Sequence, residues 1–149
     1  MDTHEFIDFM KFKFKHNVQR AFLRYKNRVL IDLEKDALLK VATFLYKELN
    51  FRFIIATGLD NVKAFEITYH FSNDKTGLLA NIRVSIPKKK PEVESLTPLF
   101  VAADWIEREI HELLGIKFLN HSNMRSLLSD GNWGAGEYPY RKPVSEQPK

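Results

Sequence analysis

Acidic and basic side chains are crowded into one short run that could do chemistry. Glu107, Arg108, Glu109, His111 and Glu112 fall within six consecutive positions. Neighbouring carboxylates can transfer protons, and an arginine beside them can hold an anion. The same residue types at i,i+3 and i,i+4 spacing also form ordinary ion pairs on a helix, such as Glu107 with His111. The spacing favours an ion-pairing or interface surface, so we assign no catalytic residue.

The pair His111-Glu112 resembles the start of a zinc motif. In His-Glu-x-x-His, two imidazoles lie one helical turn apart beside a glutamate base. Gly115 occupies the position of the second histidine, and His121 could join His111 only through the tertiary fold. The chain has no cysteine, which removes the usual ligands of an iron–sulfur cluster. We therefore predict no metal site and no cofactor in this chain.

A predicted amphipathic helix positions these side chains. Its apolar residues recur at helical spacing and form one stripe. They are Ile106, Ile110, Leu113 and Leu114. Gly115 follows as a residue that can take the left-handed conformation that ends a helix. With the stripe facing the core, we expect Glu107, Arg108 and His111 to face water or a partner.

The start of this helix is indicated by Asp104 and Glu107. A side chain at the first position can accept an early backbone N–H, and a glutamate three residues later can fold back as a capping box. We therefore predict that the helix begins near Trp105, with Asp104 and Glu107 as its caps.

The charged run is the first part of a longer pattern. It consists of Glu107-Arg108-Glu109, two residues, Glu112-Leu113-Leu114, six residues, His121, three residues, Arg125, one residue, and Leu127-Leu128. This pattern resembles the signature of the NADH dehydrogenase 30 kDa subunit of respiratory complex I. The same family includes small hydrophilic subunits of energy-converting membrane-bound nickel-iron hydrogenases. Weaker similarity extends over roughly residues 50–142.

The resemblance implies a non-catalytic subunit in the hydrophilic arm of an NADH:quinone dehydrogenase or an energy-converting hydrogenase. Its partners would be a large subunit homologous to nickel-iron hydrogenase and other hydrophilic-arm subunits, which couple electron transfer to ion translocation. The location implied is cytoplasmic and peripheral on the membrane, with no transmembrane segment in this chain. The interface residues implied are Trp105, Glu107, Arg108, Glu109, Glu112, His121, Arg125, Trp133, Tyr138, Tyr140 and Arg141.

Two residues of the signature have an expected local role. We predict that His121 and Arg125 orient the turn after the helix through hydrogen bonds. We also predict that Arg125 reaches a carboxylate of Glu109, of Glu112 or of a partner.

Basic residues are concentrated in residues 11–28, which hold seven lysines and arginines and no acidic residue, although the whole chain carries only +4. Phe12, Phe14, Phe22 and Tyr25 alternate with them. Such a pattern is also found in surfaces that stack nucleic-acid bases. The alternative function is therefore a nucleic-acid binding module on this segment. The other interpretation is that the aromatics are core and the lysines are solvated.

The remaining pattern predicts the fold class. A chain of 149 residues suits one domain with one core. We predict α+β: a mainly antiparallel sheet of four to six strands packed against two or three helices. The expected elements are a helix near residues 6–14, strands at 21–25 and 28–32 joined by a Lys26-Asn27 turn with Asn27 able to take positive φ, a helix from Lys35 to Asn50, and strands at 51–57, 64–72 and 78–86.

The last part of the chain differs in composition. Residues 129–149 hold three of the six glycines and three of the six prolines, together with Trp133, Tyr138 and Tyr140. We predict a single domain over residues 1–128 and an extended tail over 129–149. Because aromatics of this size are seldom left in water, we expect the tail to lie along its own domain or along a partner.

Overall fold

The computed structural model describes residues 1–125, 127 and 136–142. In these ranges, helices and strands form an α+β arrangement, as predicted. Their order is α1 (Thr3–Lys13), β1 (Val18–Tyr25), β2 (Arg28–Leu33), α2 (Leu38–Lys47), β3 (Arg52–Asp60), β4 (Ala64–Asn73), β5 (Leu78–Pro87), β6 (Glu92–Glu94), α3 (Ala103–Leu114) and β7 (Lys117–Leu119).

Five strands form the main sheet in the order β1-β2-β5-β4-β3. The β1–β2 hairpin and the β3–β4–β5 meander are antiparallel, as their short links require. The two units join through a parallel pairing of β2 with β5. The connection that runs through α2, β3 and β4 is long enough to make this pairing possible. A separate small sheet pairs β6 with β7 in parallel.

One face of the main sheet forms the core. Along β4, alternate side chains from Phe65 to Phe71 are buried, and they pack with residues from all three helices. Phe6 and Met10 of α1 and Leu45 of α2 belong to this layer. The opposite face holds the other alternate residues, and no described helix packs on it. The helices are therefore confined to one side of the sheet.

Local sequence explains where α1 begins and where the chain leaves α2. At α1, Asp2 accepts a hydrogen bond from the N–H of Glu5, while the Glu5 side chain accepts one from the N–H of Asp2. A 3₁₀ turn at Lys35–Ala37 precedes α2. Asn50 has a φ of 57°, which turns the chain into β3 at the predicted stop.

The hairpin between β1 and β2 forms at Lys26-Asn27, as predicted, but Asn27 does not take the positive φ that an asparagine there could adopt. Among the described non-glycine residues, φ is positive only at Asn50 and Asn120. The pairing register shifts between Leu23 and Tyr25. A bulge of this kind adds local twist, so the strands can meet without a left-handed turn residue.

Candidate functional site

The helix that carries the signature starts without the predicted capping box. Helix α3 has Ala102 at its N-terminal cap and no side chain bonded there. Backbone turns replace the cap: the N–H of Ala103 binds the carbonyl of Phe100, and the N–H of Asp104 binds the carbonyl of Val101, both at 3.1 Å. The first carboxylates of the helix are consequently available for other contacts.

Glu107 faces the interior and not water or a partner, which corrects the sequence prediction. It is 0% exposed. Its carboxylate accepts hydrogen bonds from the hydroxyl of Ser95 and from the N–H of Leu96, both at 2.7 Å. Ser95 also accepts a hydrogen bond from the N–H of Thr97 at 3.0 Å. Glu107 thus fastens α3 to the segment that precedes it.

The buried carboxyl of Glu107 has an altered acidity. Burial raises its pKa to about 7, and the hydrogen bonds from Ser95 and Leu96 oppose this effect only in part. Burial, and then the charge of Glu107, also raise the pKa of Tyr69 well above its usual value. The Tyr69 hydroxyl has no hydrogen-bond partner among the described residues. Glu107 is therefore a proton-binding group inside the fold.

Arg108 and Glu112 hold the backbone of two later signature residues, Arg125 and Leu127, against α3. The Nε of Arg108 donates to the backbone carbonyl of Arg125 at 2.8 Å, and Glu112 accepts from the N–H of Leu127 at 2.9 Å. These side chains satisfy backbone groups that regular structure does not reach. The spacing in the sequence therefore reflects contacts within the chain itself.

His121 orients the turn after β7, as predicted. Its imidazole is buried. Its Nδ1 accepts a hydrogen bond from the N–H of Asn123 at 3.0 Å, so the proton of the neutral ring lies on Nε2. That nitrogen lies 3.2 Å from the backbone oxygen of Asp104 and 3.0 Å from its Oδ1. The turn is thereby tied to the first residues of α3.

Arg125 has a different partner from the one predicted within the chain. Its guanidinium donates to the side-chain oxygen of Asn123 at 2.8 Å. In the described residues, no ion pair links Arg125 to Glu109 or Glu112. Since Arg125 is exposed, pairing with a carboxylate of a partner stays a prediction.

Residues 136–142 of the tail return to the end of α3. The N–H of Tyr140 binds the carbonyl of Leu113 at 3.0 Å, and Nε of Arg141 binds the carbonyl of Leu114 at 2.6 Å. The Arg141 guanidinium also stacks 4.5 Å from the ring centre of Tyr138. These contacts satisfy the carbonyls that a helix leaves unpaired at its C-terminus. This part of the tail lies along its own domain, which is one of the two predicted arrangements.

Gly115 permits this return. Its φ is +77°, the left-handed conformation predicted for the helix stop. A Cβ added there would lie 2.5 Å from the guanidinium of Arg141 and 2.6 Å from the ring of Tyr138. The glycine is thus required both by its backbone conformation and by the close approach of the tail.

Two residues that hold this region together were not predicted from the sequence. Ser95 lies in a segment with only weak family similarity, and the sequence around Asp60 indicates a turn. Asp60 is buried, lies 2.6 Å from Nζ of Lys88 and accepts the N–H of Lys142 at 2.7 Å. Burial raises the pKa of Asp60, but its hydrogen bonds outweigh this effect and lower it. No local pattern indicates either contact.

Exposed side chains remain on the outer side of α3. Trp105 and Tyr140 are each 68% exposed. Between α3 and β3 lies a small groove of about 170 Å³, whose lining includes Ile106, Glu109 and Tyr140. Large aromatics beside a groove are typical of binding surfaces. We call Trp105, Ile106, Glu109 and Tyr140 the α3 surface. Trp133, also a predicted interface residue, lies outside the described residues.

The basic segment 11–28 does not present all four of its aromatics on one surface. Phe12 is 82% exposed on α1, whereas Phe14 is buried in the core. Lys13 lies over the ring of Phe44, at 4.5 Å. Phe22 pairs with Leu30 on the open face of the sheet, the face on which no described helix packs. Tyr25 lies on that face as well, beside Arg24 and Arg28. Two of the four aromatics therefore share a surface with basic residues, and binding of nucleic acid by this segment stays a prediction.

Two further properties concern the described part of the chain. No helix there is long and apolar enough to cross a membrane. No group of three or more histidine, aspartate or glutamate side chains there could hold a metal ion.

Known proteins resemble this chain over most of its length. Residues 31–148 match the sequence profile of the family described as respiratory-chain NADH dehydrogenase, 30 Kd subunit. The C subunit of F(420)H(2) dehydrogenase from Methanosarcina mazei is 28% identical over 145 residues, covering 95% of this chain and 91% of that protein. The C subunit of NADH-quinone oxidoreductase from Chelativorans sp. is 30% identical over 140 residues, covering 90% of this chain and 68% of that protein.

The fold also has a counterpart among solved structures. A chain of the membrane-bound sulfane sulfur reductase, an archaeal respiratory membrane complex, superposes with a TM-score of 0.79. The two sequences are 22% identical, and the match covers 93% of this chain and 82% of that one. This likeness concerns the fold.

Proposed function

Because the chain belongs to the respiratory-chain NADH dehydrogenase 30 kDa subunit family, we propose that it is a non-catalytic scaffolding subunit of a complex I-like oxidoreductase. In this proposal the α3 surface binds a large subunit homologous to nickel-iron hydrogenase, in a complex of either the NADH:quinone dehydrogenase or the hydrogenase type. The observation that carries the proposal is a pair of exposed aromatics, Trp105 on the rigidly held helix α3 and Tyr140 on the tail segment bonded to the end of that helix.

The internal contacts of the signature support a docking role. Glu107 fixes the start of α3, and Arg141 fixes the tail at the helix end. Arg108 and Glu112 hold the backbone of Arg125 and Leu127. A surface held in place before binding loses less conformational entropy on association. Signature residues can therefore serve assembly even where they do not touch the partner.

The proposal leaves electron transfer and ion translocation to the partner subunits. This chain would take part from the cytoplasmic side of the membrane, peripherally and through its complex. Its own residues would supply shape and binding energy, and the large subunit would supply the reacting centre.

Co-purification tests this function. The chain is expressed with its large subunit, and Trp105→Ala and Tyr140→Ala are compared with the unchanged protein. Loss of a buried aromatic anchor costs about 2 kcal/mol or more, so we expect the Kd of assembly to rise roughly 30-fold.

Phe12→Ala is the matched control. It removes another exposed aromatic, on α1, at a distance from the α3 surface. The proposed docking surface is wrong if Phe12→Ala weakens assembly as much as Trp105→Ala does. It is also wrong if neither Trp105→Ala nor Tyr140→Ala has an effect.

A further inference from the structure

The open face of the main sheet forms a shallow trough of about 610 Å³ to which all five strands contribute. A row of side chains crosses its floor. Leu30 pairs with Asn81, Asn81 with His70, and His70 with Ile55. This surface is separate from the α3 surface, because α3 packs its apolar side against the core face at β3.

Hydrogen bonds make the floor rigid. One ring nitrogen of His70 lies 2.6 Å from Oδ1 of Asn81, and the other lies 3.2 Å from the hydroxyl of Thr57. The amide of Asn81 also donates to the backbone carbonyl of Val29 at 3.0 Å. The trough is therefore a formed surface with fixed side chains.

Arginines give the trough an excess of positive charge. Asp32 pairs with two of them, with Nε of Arg83 at 2.6 Å and with Arg20 at 2.7 Å. Arg24 and Arg28 also line the trough, and neither forms an ion pair with a carboxylate in the described ranges. Their guanidinium groups can therefore donate hydrogen bonds to carboxylates of another molecule.

Apolar side chains lie at both ends of the same trough. Tyr25 is 68% exposed at the β1 end, and Ile54 and Ile55 are 43% and 47% exposed at the β3 end. Exposed apolar side chains grouped in one surface depression are typical of protein-interaction sites. A nucleic-acid base could stack on Tyr25 at the β1 end, but the isoleucines at the β3 end are aliphatic and provide no ring.

We infer that this trough binds an acidic segment of a partner subunit, with its carboxylates on Arg24 and Arg28 and its apolar side chains against Tyr25 and Ile55. Charge complementarity carries the inference, since the guanidinium groups of Arg24 and Arg28 have no carboxylate partner in the described ranges and lie beside exposed apolar side chains, with Arg28 5.8 Å from the ring centre of Tyr25. This inference adds to the proposed function a second contact, on the face of the sheet opposite the α3 surface. It rests on the proposed function in one respect: the partner belongs to the same complex.

Thiol labelling in the assembled complex tests the inference. The chain has no cysteine, so Ile55→Cys and Tyr25→Cys each create a unique thiol in the trough. Lys15→Cys, exposed on the α1 side, is the control. Assembly is expected to slow maleimide labelling about ten-fold or more at the trough positions, because modification requires solvent access, and to leave position 15 unchanged. A photo-crosslinker on either trough thiol should then capture an aspartate- and glutamate-rich segment.

A peptide assay on the free chain decides the question even without a complex. The probe is a fluorescent peptide of alternating glutamate and leucine. Arg24→Glu with Arg28→Glu should raise its Kd about ten-fold or more. Lys11→Glu with Lys15→Glu, which changes the net charge equally on the other side, should leave the Kd nearly unchanged.

Three results would overturn the inference. The first is a complex that assembles while the trough thiols label as fast as in the free chain, which leaves the proposed function intact. The second is protection of these thiols already in the free chain. The third is that the chain binds single-stranded oligo(dT) more tightly than the acidic peptide, and that the Arg24→Glu, Arg28→Glu variant loses this binding of oligo(dT). If the unchanged chain does not assemble, the proposed function is contradicted and the inference about the trough is not. The peptide assay then decides whether the trough binds an acidic segment.

Discussion

The carboxylate of Glu107 accepts a hydrogen bond from the backbone N–H of Leu96 at 2.7 Å, and both groups are buried. This contact joins α3 to a segment eleven residues earlier in the chain. The first glutamate of the signature is therefore a packing element, although its sequence context is that of a charged surface. Its burial also makes the stability of the fold depend on pH.

Stability should fall as pH rises toward neutrality because of Glu107. Its pKa is raised from 4.5 to about 7 by burial, so between these values the folded state binds more protons than the unfolded state. The contribution is fully present below about pH 4.5 and is lost as pH rises through 7. Its size is roughly 3 kcal/mol at most. Urea unfolding from pH 5 to pH 8 measures it.

The variant Glu107→Gln provides the control for this pH dependence. An amide keeps the shape and an acceptor for Leu96 but does not ionise, so the slope between pH 5 and pH 8 should flatten. An unchanged slope would assign the pH dependence to another group.

Asp32 should show the opposite sign. Burial raises its pKa, but hydrogen bonds from Arg83 and Arg20 outweigh that effect and lower it. Its contribution is present above the ordinary value of 3.8 and is lost as pH falls through the lowered pKa. Asp32→Asn should cost about 1 to 3 kcal/mol at neutral pH, because Arg83 loses its partner. The free energy of unfolding at pH 7 and at pH 2 checks this, and an equal loss at both values would contradict it.

Gly115→Ala should destabilise the protein and release the tail. The substitution places a side chain at positive φ and within 2.6 Å of Tyr138. Gly77→Ala is a matched control, because Gly77 has a similar φ of +73° but no atom within 4 Å of the added Cβ. We expect about 1 to 2 kcal/mol for Gly77→Ala from backbone strain alone, and a larger loss at Gly115. Limited proteolysis of residues 136–142 should accelerate only in Gly115→Ala. Equal effects at the two glycines would show that the tail contact contributes nothing.

His121→Ala should loosen the turn that follows β7. It removes the acceptor for Asn123 and the donor facing Asp104, so we expect a loss of about 1 to 3 kcal/mol. Hydrogen exchange at the N–H of Asn123 reports the change directly. His16→Ala, at an exposed position, should have no such effect; a similar effect there would mean that exchange does not report on this turn.

Removal of residues 129–149 should leave a folded domain and weaken assembly, because the tail contributes contacts more than core. The deletion takes away the Lys142 N–H from Asp60 but leaves Lys88 beside that carboxylate. Thermal unfolding of the shortened chain and its co-purification with the large subunit measure the two effects. A loss of thermal stability in the isolated domain as large as the loss of assembly would contradict this prediction.

The sequence by itself determined the three helices, the five strands of the main sheet, the fold class and the family. Hydrophobic periodicity and turn residues act over a few positions, so they located α3, its end at Gly115 and the antiparallel meander. The spacing from Glu107 to Leu128 carried the resemblance that the family match over residues 31–148 confirms.

Only the tertiary structure decided which polar side chains are buried and which strands meet across the sheet. Glu107 lies off the apolar stripe, yet Ser95 and Leu96 lie against it and supply its donors. The pairing of β2 with β5 and the contact of Asp60 with Lys142 likewise join distant parts of the chain. The physical reason is that solvent exclusion and hydrogen-bond partners depend on segments far apart in sequence, which no local pattern of residues records.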